Sequence, residues 1–115
     1  MSSTTTGLSA EAAVAEELKV RGYKILARNW KTSVCEIDIV AKKDNILYFT
    51  EVKYRSGPDQ GDGLAYITPQ KLKKTHFAAK VWVQHNNWDG DYRLLVASVT
   101  SDGQDFLIEE IIEIE

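Results

Sequence analysis

Two strand-forming runs joined by a short turn constrain the fold of this chain more than any other feature. Residues 33–42 alternate apolar and polar side chains, and residues 47–55 are rich in the aromatic and β-branched residues that favour strands. Between them, Asp44 and Asn45 tolerate the positive φ angles that a two-residue hairpin turn requires. The sequence therefore predicts two long antiparallel strands that form a hairpin.

The predicted register places four charged side chains on one face of the hairpin. With a turn at 44–45, Asp38 lies opposite Glu51, and Glu36 lies opposite Lys53. Residues two apart in a strand point the same way, so these four side chains share one face. A slip of one residue would separate these pairs, so the arrangement depends on the turn. An ordinary ladder of cross-strand ion pairs is the alternative to a functional site.

The remaining segments predict two helices and three further strands, at residues 10–21, 23–29, 69–85, 92–100 and 106–114. Ser9 can cap the first helix, and Thr68 followed by Pro69 is typical of a helix start. Residues 1–8 are small and polar and are expected to be a disordered N-terminus, followed by a single domain at 9–115. The order αβββαββ predicts an α/β fold with a mixed central sheet flanked by helices.

Composition narrows the class of protein. The chain is 43% hydrophobic with a single cysteine, Cys35, which excludes an intrachain disulfide framework and a cysteine-rich zinc site. One free cysteine fits a reducing compartment, so we expect a cytoplasmic protein. The start of the chain lacks the basic and apolar regions of a secretory signal, and no eighteen apolar residues run together. We therefore expect no membrane association.

Charge is unevenly distributed along the chain. The net charge is −3, yet residues 19–80 carry thirteen basic and six acidic residues, whereas residues 81–115 carry one basic and eight acidic residues. A basic face able to bind nucleic acid is therefore compatible with an acidic protein. The alternative is that these basic residues are scattered over a solvated surface.

Two carboxylates lie within strongly apolar strands. Asp38 and Glu51 would repel each other side by side, and a divalent cation between them would remove the repulsion. Mg²⁺ favours carboxylate oxygens and retains several waters, so it fits two carboxylates. Lys53 would face the same site, where it could stabilise negative charge or help to deprotonate an attacking water.

The two helices each carry one charged residue on an apolar stripe. Glu11 shares a helix face with Val14 and Leu18, and there it can either interact with the helix dipole or reach the predicted metal site. Lys71 lies within the arc of the apolar stripe of the second helix. It can extend to solvent along its alkyl stem or bring a second positive charge to a phosphate.

These residues together resemble a known nuclease superfamily. The segments concerned are Glu11, Glu36-Ile37-Asp38-Ile39-Val40, Phe49-Thr50-Glu51-Val52-Lys53-Tyr54-Arg55 and Lys71. This combination resembles the PD-(D/E)xK nucleases, and within them the small bacterial YraN-like family, over roughly residues 10–100. That family looks restriction-endonuclease-like and is similar to archaeal Holliday junction resolvases. The resemblance implies a restriction-endonuclease-like αβββαβ core.

The resemblance also implies roles for individual residues. Asp38 and Glu51 would ligate Mg²⁺ or Mn²⁺, Lys53 would be the catalytic lysine, and Glu11 would be an assisting acid on the first helix. The residues expected to contact nucleic acid are Arg28, Arg55 and Lys71. Cys35 is expected to point away from Asp38 by strand alternation and to be a small core residue rather than a nucleophile.

The sequence thus predicts a Mg²⁺-dependent endonuclease that hydrolyses phosphodiester bonds in DNA, including branched or junction DNA. The last strand, at 106–114, would lie at an edge of the sheet and could pair two copies into a homodimer. Two alternatives remain open. One is a nucleic-acid-binding module with weak or no turnover, and the other is a protein-interaction domain whose hairpin charges are ordinary ion pairs.

Overall fold

A computed structural model of the chain describes the backbone of residues 3–55 and 68–114 and the side chains of residues 10–55 and 68–114. The elements in chain order are α1 (Ser3–Val20), β1 (Lys24–Lys31), β2 (Glu36–Lys43), β3 (Ile46–Tyr54), α2 (Pro69–His85), β4 (Tyr92–Ser101) and β5 (Phe106–Ile114). This order confirms the predicted αβββαββ arrangement and the α/β class.

The five strands form one mixed sheet between two helices. Their spatial order is β1-β2-β3-β4-β5, and every neighbouring pair is antiparallel except β3 and β4, which are parallel and are joined through α2. One core lies between the sheet and α1, and a second core lies between the sheet and α2. The structure is therefore consistent with a restriction-endonuclease-like core.

Helix α1 begins earlier than the sequence predicted. It extends from Ser3 rather than residue 10, and its buried face includes Val14 and Leu18. At its end, Tyr23 N–H donates to the Leu18 carbonyl at 2.9 Å, with Gly22 at φ 96°. Over the described residues, neither helix is both long and apolar enough to cross a membrane. The division of the chain at residue 8 stays a prediction.

Helix α2 begins and ends where the sequence predicted. The Thr68 side chain accepts a hydrogen bond from Lys71 N–H at 3.1 Å, and Pro69 occupies the first turn, where its missing N–H removes no helical bond. Ala78, Ala79 and Trp82 form its buried face. That packing holds the second half of α2 against the sheet and leaves its first half beside the hairpin.

The hairpin has the predicted register over five residue pairs. Asp44 and Asn45 form the turn with φ of 52° and 65°, and the pairs run from Lys43–Ile46 to Ile39–Thr50. Pairing between β2 and β3 stops there, one residue before Asp38. The two strands therefore separate where the candidate site begins.

The regular alternation of β2 side chains between the two faces of the sheet is interrupted at Asp38. Ile37 packs in the core beneath α2, whereas Ile39, two residues later, packs in the core beneath α1. Opposite this point, Asn29 of β1 has a positive φ of 53°, which breaks the regular pleat. The predicted pairing of Glu36 with Lys53 is therefore wrong, because it assumed unbroken alternation. Instead, the Glu36 carboxylate lies 3.9 Å from Lys31 of the neighbouring strand.

Substitution of Gly22 by alanine should destabilise the fold. Its φ of 96° is costly for any residue with a Cβ, although the added carbon would lie at an ordinary 3.6 Å from Lys43. We expect Gly22→Ala to lower the free energy of unfolding by about 1–2 kcal/mol in urea denaturation. Val20→Ala, at an exposed site in the same turn, is the control and should change it by less than about 0.5 kcal/mol.

Candidate functional site

A cleft lies where β2 and β3 separate. It has a volume of about 630 Å³ and is bounded by the turn before β2, the middle of β3 and the first half of α2. Asp38, Glu51 and Lys71 all line it. Three of the predicted site residues are thus brought into one cavity by elements distant in sequence.

Asp38 is held in place by the backbone of β3. Its Oδ2 accepts a hydrogen bond from Val52 N–H at 2.7 Å. This N–H lies just beyond the last β2–β3 residue pair, so the carboxylate satisfies a donor that the sheet leaves open. The bond fixes Asp38 next to Glu51.

Asp38 is poised between its charged and neutral forms. Burial raises its pKa to about 7, and the negative charge of Glu51 adds to the shift. The hydrogen bond from Val52 works in the opposite direction but does not compensate. A cation between Asp38 and Glu51 would favour the charged form of Asp38. Binding of positive charge at this site is therefore electrostatically favourable.

Glu11 approaches Asp38 from α1. Burial raises the pKa of Glu11, whereas contacts with Asp38 and Asn29 and the charge of Arg28 act to lower it. Glu11 Oε2 is buried and has no hydrogen-bond partner among the described residues. Of the two alternatives for Glu11, its contact with Asp38 favours an approach to the hairpin carboxylates, and its catalytic role stays a prediction.

Two lysines supply positive charge on the side of Glu51. Lys71 Nζ lies 3.0 Å from Glu51 Oε1, and the Lys53 amine lies close to that of Lys71. Contact with Lys71 is the main reason that the pKa of Lys53 is lowered, and burial acts in the same direction. Burial alone would lower the pKa of Lys71, but its contacts with Lys53 and Glu51 raise it. Lys53 is thus the lysine that loses its proton more readily.

The donor set fits a hard divalent cation. Asp38 and Glu51 both line one cleft, whereas Glu11, whose Oε2 is buried without a partner among the described residues, lies outside its lining. Across residues 10–55 and 68–114, no three His, Cys, Asp or Glu side chains already form a complete metal cluster. Because Mg²⁺ commonly takes one or two carboxylates and keeps several waters, Asp38 and Glu51 are the residues that would hold it.

The two arginines expected to contact nucleic acid lie away from the centre of the cleft. Arg55 Nη2 lies 2.7 Å from Glu109 Oε2, and Ser98 Oγ donates to the other oxygen of Glu109 at 3.0 Å. Arg28 is exposed on β1, where its charge acts on Glu11. A phosphate contact by Arg55 would have to compete with Glu109, and both assignments stay predictions.

The two expectations for Cys35 have different outcomes. It does not point away from the cleft, but it packs against the core beneath α2, as expected of a small core residue. Cys35 lines the same cleft as Asp38, and its Sγ lies 3.3 Å from Thr32 Oγ1. Cys35 precedes β2 in a turn, where Thr32 N–H donates to the Cys35 carbonyl at 2.8 Å, so strand alternation does not determine its direction.

Sequence reasoning missed Asn29. This residue contacts Glu11, and its positive φ accompanies the exchange of strand faces at Asp38. The signal in the sequence is modest: asparagine adopts positive φ more readily than most residues, and Asn29 interrupts an otherwise regular strand.

The comparison with known proteins identifies the family. The uncharacterised protein family UPF0102 matches residues 10–99 of the chain. The chain belongs to this family. A UPF0102 protein from Flavobacterium johnsoniae is 33% identical over 109 residues, covering 91% of this chain and 89% of the relative. One from Rhodopseudomonas palustris strain CGA009 is 43% identical over 81 residues, covering 70% of this chain and 61% of that relative, less than two thirds of its length.

Asp38→Asn should stabilise the cation-free protein at alkaline pH. The pKa of Asp38 is raised to about 7, so its stabilising contribution is greatest at acidic pH and is lost as the pH rises through 7. The neutral amide avoids this loss and can still accept from Val52 N–H. We expect Asp38→Asn to exceed the wild type in free energy of unfolding by about 1–3 kcal/mol at high pH, and by less at low pH.

Urea denaturation in EDTA at pH 5 and pH 8 measures this difference. Asp89→Asn, at an exposed position beyond α2, is the control and should follow the wild type at both pH values. Equal pH dependence of Asp38→Asn and the wild type would contradict the raised pKa of Asp38.

Proposed function

We propose that this UPF0102 protein is a nuclease of the PD-(D/E)xK type that hydrolyses phosphodiester bonds in DNA with Mg²⁺ or Mn²⁺. The observation that carries the proposal is the convergence of Asp38 and Glu51 in one cleft beside the Lys53–Lys71 pair. Carboxylates able to hold a cation, next to a lysine of lowered pKa, are the groups that phosphodiester hydrolysis requires.

The carboxylates position the reaction. Held by Asp38 and Glu51, a divalent cation would supply Lewis acidity to the scissile phosphate and to the attacking water. The bond from Val52 N–H fixes the direction of the Asp38 carboxylate, and Glu11 packs against it from α1. These contacts hold the Asp38 carboxylate in the cleft that Glu51 also lines.

The two lysines divide the work of proton transfer and charge stabilisation. The contact with Lys71 lowers the pKa of Lys53, and this direction favours the Lys53 amine as the acceptor of a proton from the attacking water. Lys71 has the raised pKa and stays charged, and it lines the cleft where it can contact a phosphate oxygen. The pair therefore combines a base with an electrostatic clamp.

The proposal extends to substrate and assembly. DNA, including branched or junction DNA, would be the substrate, with Arg28 and Arg55 contacting phosphates at the margins of the site. The protein would act in the cytoplasm. Strand β5 lies at an edge of the sheet and exposes 47% of Leu107, which supports pairing of two copies along this edge in a homodimer.

Cleavage of a DNA panel tests the proposed activity. Linear, flapped and four-way DNAs are incubated with Mg²⁺ or Mn²⁺ and either the wild type, Glu51→Gln or Glu110→Gln, the last of which alters an exposed glutamate of β5. We expect Glu51→Gln to reduce cleavage at least about 100-fold, because half of the cation-binding carboxylates are lost. Glu110→Gln should cleave as the wild type does. Cleavage that survives Glu51→Gln would contradict the proposal.

Replacement of Lys53 separates catalysis from binding. Lys53→Met keeps the alkyl stem but removes the amine, so we expect cleavage to fall about 100-fold or more while DNA affinity changes less than about threefold. The pH profile of the remaining activity should lose the limb due to lysine deprotonation. Lys24→Met, at an exposed position at the far end of β1, is the control. A parallel loss of affinity and activity in Lys53→Met would assign Lys53 to binding.

A second function rests on one observation. The Lys71–Glu51 ion pair at 3.0 Å places a positive charge beside Glu51. This internal compensation favours a nucleic-acid-binding module in which lysine takes the place of the cation. Binding of the DNA panel without cleavage under both divalent ions would support this second function.

A further inference from the structure

The outer half of the cleft is lined by one stripe of α2. Gln70, Lys73, Lys74 and Phe77 all line the cavity, and they lie at positions i, i+3, i+4 and i+7 of the helix. Residues at this spacing share one face of a helix, so the two lysines lie one turn before the phenylalanine on the same surface. This stripe lines the same cleft as Glu51 and Lys71.

Packing of the helix does not explain Phe77. The buried face of α2 is formed by Ala78, Ala79 and Trp82, whereas Phe77 is 51% exposed. Val34, in the turn on the other wall of the cleft, is 71% exposed. An aromatic ring and an aliphatic side chain thus line the open cavity, where they are available to contact an apolar surface of a ligand.

Lysines surround this apolar centre. Lys73 and Lys74 are exposed, and among the described residues neither forms an ion pair with a carboxylate. Lys31, on the opposite wall, has only a 3.9 Å contact with Glu36, and both side chains are 67% exposed. The cavity therefore suits a ligand with a flat apolar centre and negative charges at its margins.

An unpaired nucleotide has this chemistry. Its base offers a planar face that stacks on an aromatic ring, and its phosphates pair with lysines. In a continuous duplex the base faces are covered by their neighbours and cannot reach Phe77. The volume of about 630 Å³ lies in the range of cavities that enclose a ligand of this size.

We propose that the substrate strand enters the cleft with at least one unpaired base stacked on Phe77 and its flanking phosphates bound by Lys73 and Lys74. This inference rests on the proposed nuclease function, which requires the bound strand to lie next to Asp38 and Glu51. It names the substrate class as DNA with a single-stranded segment, as opposed to a fully paired duplex.

Fluorescence of 2-aminopurine tests the stacking directly. The probe is an oligonucleotide with one 2-aminopurine, used single-stranded or fully paired, and is titrated with protein in EDTA so that no cleavage occurs. We expect the wild type to quench the single-stranded probe and to bind it at least about tenfold more tightly than the duplex. Phe77→Ala should lose the quenching and bind about 5- to 100-fold more weakly, as expected for one lost stacking contact.

Matched variants separate stacking from general surface effects. Phe77→Leu keeps an apolar side chain but removes the ring, so it should also lose the quenching. Leu107→Ala alters an exposed apolar residue outside the cleft and should bind as the wild type does. Lys73→Ala and Lys74→Ala should each lower the salt dependence of single-strand binding by about 0.7 in the log–log slope, whereas Lys24→Ala should not.

The outcomes distinguish this inference from the proposed activity. Loss of quenching in Phe77→Ala supports unpaired-base binding even if no substrate is cleaved. Cleavage of a fully paired duplex at the same rate by the wild type and Phe77→Ala would overturn the inference and leave the nuclease intact. Absence of DNA binding by the wild type, or equal single-strand binding by Phe77→Ala and Leu107→Ala, would also overturn it.

Discussion

The hydrogen bond from Val52 N–H to the Asp38 carboxylate is the interaction on which the candidate site depends. It forms where the β2–β3 ladder stops, so a side chain takes over a donor that a neighbouring strand would otherwise satisfy. Without it, the opened end of the hairpin would expose an unpaired backbone group to the cleft. The same bond orients one acidic group toward Glu51 and so joins the architecture of the sheet to the chemistry of the cavity.

The charged groups of the candidate site lower the stability of the fold. Burial and like charge raise the pKa of Asp38 to about 7, and Glu11 has a buried oxygen with no partner among the described residues. On the other side, contact between Lys53 and Lys71 lowers the pKa of Lys53. Such clusters are costly in a structural role and are common at functional sites, where a ligand of suitable charge relieves them.

The three-layered architecture, with one helix on each face of the sheet, brings these groups together. Helix α1 delivers Glu11 from one side, and α2 delivers Lys71 from the other, while Asp38 lies at the point where the faces of β2 exchange. The parallel β3–β4 pair requires α2 as a crossover, and this places the first half of the helix along the cleft.

The sequence by itself determined the features that depend on neighbours in the chain. The turn at Asp44–Asn45, the register from it to Ile39–Thr50, and the start of α2 at Pro69 were predicted because local conformational preferences and a period of two specify them. The predicted Asp38–Glu51 pair lies one residue beyond the last observed pair, although both residues line the same cleft. These features cover the order of elements and the centre of the candidate site.

Only the tertiary structure decided the contacts between distant elements. The positive φ of Asn29, the Lys53–Lys71 contact, the Arg55–Glu109 pair and the position of Cys35 in the cleft arise from packing across the sheet. A regular alternation extrapolated along β2 failed at Asp38, because the pleat changes face there. Beyond such a break, the direction of a side chain depends on the space and charge that neighbouring elements provide. The periodicity of the sequence contains no information about these neighbours.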